Sequence, residues 1–167
     1  ASLNVMQEIL ADDIEGNIQK NLLSYIQTYP EIFEIIVTND KKKIIASTNK
    51  SFFFNDYPEK YADEILAGSV KTTDLYYDEF LKKNVIAIGA PVMLEGIQVI
   101  GAMIVFLPAE FIYSINDSIK IGENNQSENS YSIILNGRFQ IISAPEFIRD
   151  NADYRPFAEY GEYEIVN

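Results

Sequence analysis

The stretch from Val85 to Leu107, VIAIGAPVMLEGIQVIGAMIVFL, constrains the fold most strongly, because it is 23 residues long and mostly apolar. A stretch of this length is compatible with a membrane-spanning helix. However, Glu95 lies near its centre, where a charged side chain costs on the order of 2.5–3.5 kcal/mol, and Pro91 and three glycines would weaken a helix further. Two β-branched arms of about ten residues meeting at Glu95-Gly96 fit better, since glycine supplies the backbone freedom of a tight turn. The sequence therefore predicts the central antiparallel hairpin of a sheet.

The composition excludes several functional classes. Hydrophobic residues make up 47% of the 167 positions, which is enough for a packed core. The net charge of −12 argues against a basic surface that binds nucleic acid. Because the chain contains no cysteine and no histidine, a disulfide, a thiolate metal site and a Ser-His triad are excluded. We expect no enzymatic activity, no catalytic residue, no metal site and no cofactor. The sequence also contains no signal peptide and no apparent membrane span.

Residues 2–29 are predicted to form one long helix, because apolar residues recur there at steps of three or four. The stripe consists of Leu3, Met6, Leu10, Ile14, Ile18, Leu22, Tyr25 and Tyr29. It would pack either on the sheet of its own domain or, like a coiled-coil seam, on its copy in a homodimer; both contacts could hold along different turns. Pro30 ends the predicted helix because it disfavours the helical conformation in the preceding residue.

The region after this helix predicts a hairpin, a loop and a short helix. Two β-branched arms around Asn39-Asp40 predict a hairpin over 33–49. Residues 58–66 have helical spacing, and Gly68 suits the position just past the end of that helix. The intervening loop, 51–57, carries Phe52, Phe53 and Phe54, which we interpret as a plug of the core rather than an exposed patch.

The remaining elements of this region complete a sheet. Residues 70–81 predict one polar, aromatic strand that turns into the central hairpin, and residues 109–115 predict a helix after Pro108. The predicted fold class is therefore α+β: a five-stranded antiparallel sheet with helices packed on one face.

An internal repeat follows a polar linker at 117–130. The segment IIVTNDKKKIIAS at 35–47 is echoed by SIILNGRFQIISA at 132–144, which predicts a second hairpin turning at Asn136-Gly137, a stronger turn signal than its counterpart. No equivalent of the central hairpin follows within the sequence. We therefore divide the chain into a helix (1–29), a complete domain (30–116), the linker (117–130) and a partial second module (131–167).

These motifs resemble the Cache, or extracytoplasmic PAS-like, sensor domains of bacterial membrane receptors. The resemblance rests on EIIVTNDKKKIIAST at 34–48, AIGAPV at 87–92 and GIQVIGAMIV at 96–105. It implies a PAS-like sheet, a double-Cache arrangement with an incomplete second module, and a non-catalytic ligand sensor on the extracytoplasmic side of the cell membrane. The membrane-anchored parent would most often be a two-component sensor histidine kinase signalling through helix movement in a dimer. A chemotaxis receptor, a cyclic-dinucleotide enzyme and a ligand-free dimerisation module are the alternatives.

The resemblance also implies a ligand site between the sheet and the short helix with its preceding loop. The positions that map there are Tyr57, Tyr61, Thr72, Thr73, Tyr76 and Asp78. Hydroxyls and one carboxylate, without any arginine before Arg138, favour a small neutral or amine-bearing ligand over a di- or tricarboxylate.

Two structural interpretations compete with this ligand site. The tyrosines could simply pack in the core, and the acidic residues could form a solvated strand face. Because side chains alternate along a strand, we expect Tyr76 and Tyr77 on opposite faces and Asp74 and Asp78 on the same face.

Overall fold

The computed structural model describes residues 17–119, 131–150 and 154–157. The predicted stripe residues before Asn17 lie outside these ranges, as does most of the predicted linker. The chain divides into two compact units, Ala1–Pro108 and Ala109–Asn167. None of the described helices is both long and apolar enough to cross a membrane.

The described part of the first unit contains two α-helices and a six-stranded antiparallel sheet. In chain order the elements are α1 (Asn17–Thr28), β1 (Glu34–Asn39), β2 (Ile44–Ser47), a 3-10 turn (Lys50–Phe52), α2 (Tyr61–Leu66), β3 (Lys71–Thr72), β4 (Tyr76–Asp78), β5 (Lys83–Leu94) and β6 (Gln98–Pro108). The strand order is β2-β1-β6-β5-β3, and β4 also pairs with β5. The predicted α+β, PAS-like fold class is confirmed.

The central hairpin is confirmed as β5 and β6, whose register runs from Val85 opposite Pro108 to Leu94 opposite Gln98. At the turn, φ is +51° at Glu95 and +72° at Gly96, as a type I′ connection requires of its two central residues. Glycine tolerates this backbone without strain, so the local sequence was sufficient to locate the turn.

The predicted single strand over 70–81 is wrong, because it is broken into β3 and β4. Both pieces pair with β5, so the sheet has six strands instead of the predicted five. The break begins at Thr73, whose hydroxyl oxygen accepts the N–H of Ala87 at 2.9 Å. Leu75 then turns into the core and is 3% exposed. A side-chain hydrogen bond therefore replaces the regular strand ladder at this point.

Helices cover both faces of the sheet, which corrects the predicted packing on one face. On one face, Ala62 and Ile65 of α2 join a buried cluster with Ile36, Ile104 and Phe106. On the other face, α1 packs against a second cluster that contains Ile35, Val37 and Ile45. All six residues of β1 are buried, so its nearly continuous apolar run reflects burial on both sides.

The contact face of α1 differs from the predicted stripe. Leu22 is buried in the second cluster, and Ile18 and Ile26 pack against it, at steps of four residues. In contrast, Tyr25 and Tyr29 are 56% and 47% exposed and stack on one another at a centroid distance of 6.4 Å. Helix α1 therefore packs on its own sheet through Ile18 and Leu22 of the predicted stripe and through Ile26, while Tyr25 and Tyr29 of the stripe face away from the cluster.

The loop after the 3-10 turn only partly plugs the core. The Phe52 ring lies 4.9 Å from that of Phe80, and Phe52 packs against the first cluster. Phe54 is 70% exposed. Its backbone N–H donates to the carbonyl of the edge residue Ile44, and its side chain points outwards. The plug interpretation is therefore right for Phe52 and wrong for Phe54.

The second unit begins with α3 (Ala109–Ser118), where a helix was predicted, and continues with β7 (Ile134–Leu135), β8 (Ile141–Ser143) and α4 (Glu146–Arg149). Within this unit, Asn116 exchanges two hydrogen bonds with Ser132. The guanidinium of Arg149 donates to both oxygens of Asp117 at 3.0 and 2.7 Å. These contacts attach α3 to the repeat hairpin.

The internal repeat is reproduced in three dimensions. Val37 pairs with Ala46 as Ile134 pairs with Ser143, and both hairpins have a register shift immediately after these pairs. In each loop an asparagine oxygen, of Asn39 or Asn136, accepts the N–H groups two and four residues later at 2.9 and 3.0 Å. The two segments therefore share one loop type as well as one sequence pattern.

The predicted hairpin turning at Asn136-Gly137 is confirmed, but its connection is longer than the two-residue loop that Asn-Gly often forms. The left-handed residue is Phe139, with φ of +60°, which corresponds to Lys42 with φ of +61° in the first hairpin. Gly137 is not among the residues with positive φ. The asparagine side chain holds two later N–H groups and therefore sets the loop, so the glycine is not needed for the turn.

Candidate ligand site

Three tyrosines and one aspartate meet on the face of the sheet that α2 covers. The loop before α2 contributes Tyr57, the first turn of α2 contributes Tyr61, and β4 contributes Tyr76 and Asp78. Tyr57 is held in place because its N–H donates to the carbonyl of Lys42 at 2.8 Å. We call Tyr57, Tyr61, Tyr76 and Asp78 the tyrosine–aspartate cluster.

Asp78 is fully buried and accepts four hydrogen bonds. Its Oδ1 accepts the backbone N–H groups of Phe80 and Leu81 at 2.9 and 2.8 Å. Its Oδ2 accepts the hydroxyls of Tyr57 and Tyr76 at 3.0 and 2.8 Å. All four partners donate, so both carboxylate oxygens act only as acceptors and each has two partners.

Tyr61 completes the cluster. With it, the cluster has more hydrogen-bonding contacts between oxygens than hydroxyl protons to fill them. Its hydroxyl lies within hydrogen-bonding distance of the Tyr57 hydroxyl and 3.0 Å from that of Tyr76. Tyr57 and Tyr76 each give their only proton to Asp78, so the single Tyr61 proton must serve two contacts. One of these oxygen–oxygen contacts therefore lacks a proton, and the group that would complement the cluster is a hydrogen-bond donor.

Burial governs the protonation of these tyrosines. It raises the pKa of Tyr57, and repulsion from the other phenolates and from Asp78 acts in the same direction. Burial likewise raises the pKa of Tyr61 and of Tyr76. All three hydroxyls are therefore neutral donors at physiological pH.

The aromatic rings of the cluster are part of the core. The Tyr57 ring makes edge-to-face contacts with the rings of Tyr61, Phe80 and Phe106 at centroid distances of 6.2, 5.7 and 6.1 Å. Such contacts contribute about 0.5–1.5 kcal/mol each beyond the buried area. Core packing and polar clustering therefore coexist at Tyr57.

Solved structures with this architecture are receptor sensor domains. The ligand-binding domain of the Campylobacter jejuni chemoreceptor Tlp3, in complex with 4-methylisoleucine, matches with a TM-score of 0.65 and 15% identity over 92% of this chain and 63% of that one. The V. cholerae histidine kinase DctB sensor domain matches with a TM-score of 0.63 and 12% identity over 85% and 52%. The E. coli DcuS sensor domain matches with a TM-score of 0.53 and 18% identity over 60% and 73%.

The chain has the Cache, PAS-like fold. The predicted resemblance is thereby confirmed at the level of the fold, which is what similarity at these identities shows. The chain spans less than two thirds of the length of the Tlp3 and DctB domains that it matches. The sequence matches no protein-family model and no curated protein sequence.

Two of the predicted positions in this Cache fold lie outside the cluster. Thr72 is exposed in β3. Thr73 exchanges backbone and hydroxyl hydrogen bonds with Ala87. The structure therefore brings together four of the six predicted residues and leaves both threonines at the sheet edge.

The strand break also decides where the acidic residues lie. Tyr76 faces the cluster while Tyr77 is exposed, as alternation predicts. Asp74 is exposed although Asp78 is buried, so the prediction that they share a face is wrong. The chain between β3 and β4 is not a continuous strand, and the alternation therefore does not extend across it.

Sequence reasoning missed two further carboxylates of the first unit. Glu59 is half-buried beside the cluster, and burial and the charge of Asp78 raise its pKa. Glu34 is buried in β1, where it accepts Ser47 Oγ at 2.7 Å, the Thr48 hydroxyl and the N–H of Asn49 at 3.0 Å. The sequence signal for the buried position of Glu34 was a glutamate next to the apolar residues of β1, together with the Ser-Thr-Asn run at the end of the paired strand β2. Among the described residues, no three acidic side chains are placed to hold a metal ion.

Proposed function

We propose that this chain is the extracytoplasmic ligand-sensing domain of a membrane-bound signal-transduction protein, and that the tyrosine–aspartate cluster is its ligand site. The observation that carries the proposal is the buried, proton-deficient cluster between α2 and the sheet of a fold shared with receptor sensor domains. A sensor histidine kinase is the leading parent protein, with a chemotaxis receptor as the alternative output.

The chemistry of the cluster favours a ligand with a hydrogen-bond donor or a positive charge. Glu59 and the hydroxyl oxygens provide acceptors, and no arginine occurs in the first unit to bind a carboxylate through a bidentate fork. The Tlp3 sensory domain has been solved with isoleucine and with L-valine, which carry an amine and a short aliphatic side chain. We therefore propose a small neutral or amine-bearing ligand for this chain.

A screen of small metabolites by thermal shift at fixed salt tests this proposal. A ligand at 100 times its dissociation constant should add about 2.7 kcal/mol to the free energy of unfolding. We expect stabilisation by amines that Tyr61→Phe weakens and Lys71→Ala leaves unchanged, because Lys71 pairs with Glu64 outside the cluster. If citrate or succinate stabilised the protein and Lys71→Ala abolished this effect, the ligand would be an anion bound by a cationic side chain, the opposite of the proposal.

One observation favours a second function, that of a ligand-free module acting through protein contacts. The space between α2 and the sheet is filled by the fully buried side chains of Tyr57, Ala62 and Ile65. The exposed, stacked pair Tyr25 and Tyr29 on α1 would then provide a homodimer contact through the N-terminal helix. Failure of every ligand in the screen, together with dimerisation in solution, would support this alternative.

A further inference from the structure

Helix α2 packs tightly against the sheet at Gly89 of β5. A Cβ added to Gly89 would lie 3.2 Å from Ile65 Cγ1, closer still to Ile65 Cδ1, and 3.5 Å from Ile104 Cγ1. The Ile65 side chain is fully buried. It therefore occupies the volume that a side chain at position 89 would otherwise fill.

An unsatisfied polar group lies on the same face. Thr38 is fully buried, and its hydroxyl has no hydrogen-bond partner in the described part of the chain. Ile36 pairs with Ile104, which pairs with Gly89, so Thr38 lies on the same face about 7 Å beyond Ile36 along β1, and β1 lies two strands, or about 10 Å, from β5. Burying a hydroxyl without a partner costs about 1–3 kcal/mol, so a polar group that reached it would be favoured.

The tyrosine–aspartate cluster is continuous with this position. Tyr61 and Ile65 are four residues apart in α2 and therefore neighbours on the helix face that meets the sheet. The ion pairs Lys42–Asp63 and Lys71–Glu64 also hold α2, but their side chains are largely exposed, and such pairs contribute about 0–1 kcal/mol each. The apolar contacts of α2, among them those of Ile65, therefore contribute more to the attachment of this helix than its ion pairs do.

We propose that Ile65 and Gly89 determine which ligands the site accepts, with Ile65 as an internal occupant of an aliphatic subsite next to the tyrosine–aspartate cluster. A ligand's donor group would meet the tyrosine hydroxyls, and its short aliphatic chain would displace Ile65 from Gly89. The Thr38 hydroxyl, two strands away on the same face, would bond the polar terminus of a longer ligand. This inference rests on the proposed function and adds the size limit of the ligand.

Chain-length preference in the complete 167-residue protein tests the inference. Binding of the primary alkylamines from ethylamine to hexylamine, and of the corresponding alkyl methyl ethers, would be measured by calorimetry for the wild type, Ile65→Val and Ile65→Ala. Removing side-chain carbons should shift the preferred amine to longer chains, by about one carbon for valine and about three for alanine. Each methylene newly accommodated should improve affinity about tenfold or more.

Three further variants sharpen the test. Gly89→Ala in the Ile65→Ala background should shorten the preferred chain again by about one carbon, because it returns a methyl group to the same volume. Leu66→Ala, a partly buried neighbour in the same helix, is the matched control and should leave the preference unchanged. In the Ile65→Ala background, Thr38→Val should remove any preference for an amino alcohol over the alkylamine of equal length, a difference of about 2- to 12-fold.

The outcomes separate this inference from the proposed function. Amine binding that weakens in Tyr61→Phe but keeps the same chain-length profile in both Ile65 variants would leave the proposed function standing and overturn the inference. Methyl ethers, which have no hydrogen-bond donor, binding Ile65→Ala as tightly as amines would show only a cavity created by the substitution, which also overturns it. Absence of amine binding in the wild type and in every variant would contradict the proposed function and the inference together.

Discussion

Asp78 shows how a single buried carboxylate can be stabilised without a cation. Two backbone N–H groups hold one of its oxygens, and two tyrosine hydroxyls hold the other. Hydrogen bonds to a charged group contribute about 1.5–3 kcal/mol each, so this residue organises both the β4–β5 turn and the tyrosine cluster.

Asp78→Asn should therefore destabilise the first unit by about 2–3 kcal/mol, because its amide group would place a donor against other donors. Urea unfolding followed by circular dichroism measures the loss. Asp74→Asn, at an exposed position in the same segment, is the matched control and should change stability by less than about 0.5 kcal/mol. Equal effects of the two substitutions would contradict the assigned role.

The buried tyrosines predict a loss of stability in alkali. Because folding raises the pKa of Tyr57, Tyr61 and Tyr76, the unfolded chain releases these protons first, at about pH 10, while the folded chain keeps them. Their contribution to stability is complete below about pH 10 and declines as the pH rises from there towards the raised folded-state pKa values. The decline should be about 1.4 kcal/mol per pH unit for each tyrosine.

Tyr57→Phe isolates this effect. It should make the decline of unfolding free energy above pH 10 shallower by about 1.4 kcal/mol per pH unit, measured by urea unfolding between pH 8 and 11. Phe80→Leu alters a ring in contact with Tyr57 without changing a titrating group, and should keep the wild-type slope. Identical slopes for wild type and Tyr57→Phe would show that Tyr57 ionises equally in both states.

At the scale of elements, the two hairpins show that one side chain can set a loop. Asn39 and Asn136 each hold two later N–H groups, and the left-handed position falls three residues after each asparagine. A glycine next to the asparagine is therefore not evidence for a two-residue turn in this repeat. The end of α2 behaves differently, since Gly68 has φ of +101° and donates its N–H to the Ile65 carbonyl at 2.8 Å.

This difference predicts opposite outcomes for two glycine substitutions. Gly68→Ala should cost about 1 kcal/mol or more, because alanine is strained at positive φ, whereas Gly137→Ala should be neutral or slightly stabilising. No heavy atom lies within 4 Å of a Cβ added at either position, so backbone conformation is the only difference. Thermal unfolding of both variants measures it, and a costly Gly137→Ala would restore the two-residue turn.

The exposed tyrosines of α1 are the residues through which a homodimer contact can be tested. If Tyr25 and Tyr29 form a homodimer contact, Tyr25→Glu combined with Tyr29→Glu should lower the mass in sedimentation equilibrium towards that of a monomer. Ile18 is unsuitable for this test because it packs on the sheet. Asn21→Glu adds charge at an exposed position of the same helix and should leave the mass unchanged. An unchanged mass in the tyrosine variant rejects the contact.

At the scale of the whole molecule, the two units differ in how much sheet supports the repeated hairpin. In the first unit, β1 pairs with both β2 and β6. In the described part of the second unit, β7 and β8 form a two-stranded sheet of two and three residues. A hairpin of that size is marginal by itself, so local opening should require less free energy there.

Hydrogen exchange should therefore be faster at Ile133–Ile142 than at Val99–Phe106 in the monomeric 167-residue protein. The expected difference follows from the number of paired strands, since β6 lies between β1 and β5. Mass spectrometry of peptides from the two segments measures it under one set of conditions. Equal protection would show that the second hairpin is supported as fully as the first.

The sequence by itself determined the features that depend on local chemistry. Glu95-Gly96 located the central turn, Gly68 marked the end of α2, and the repeat at 132–144 identified a second copy of the first hairpin. Each of these follows from neighbouring residues, because turn and cap preferences act over two to five positions. Tyr57, Tyr61, Tyr76 and Asp78 were also predicted from the sequence to share one site, through the resemblance to Cache domains.

Only the tertiary structure decided which groups satisfy one another. Tyr57, Tyr61 and Asp78 come from a loop, a helix and a strand, so their shared proton shortage exists only after the chain has folded. The hydrogen bond between Thr73 and Ala87 broke a predicted strand, and it depends on the register of β5. The packing of Ile65 on Gly89 likewise depends on the distance between α2 and the sheet, which no local pattern encodes, because close packing is a property of the assembled core.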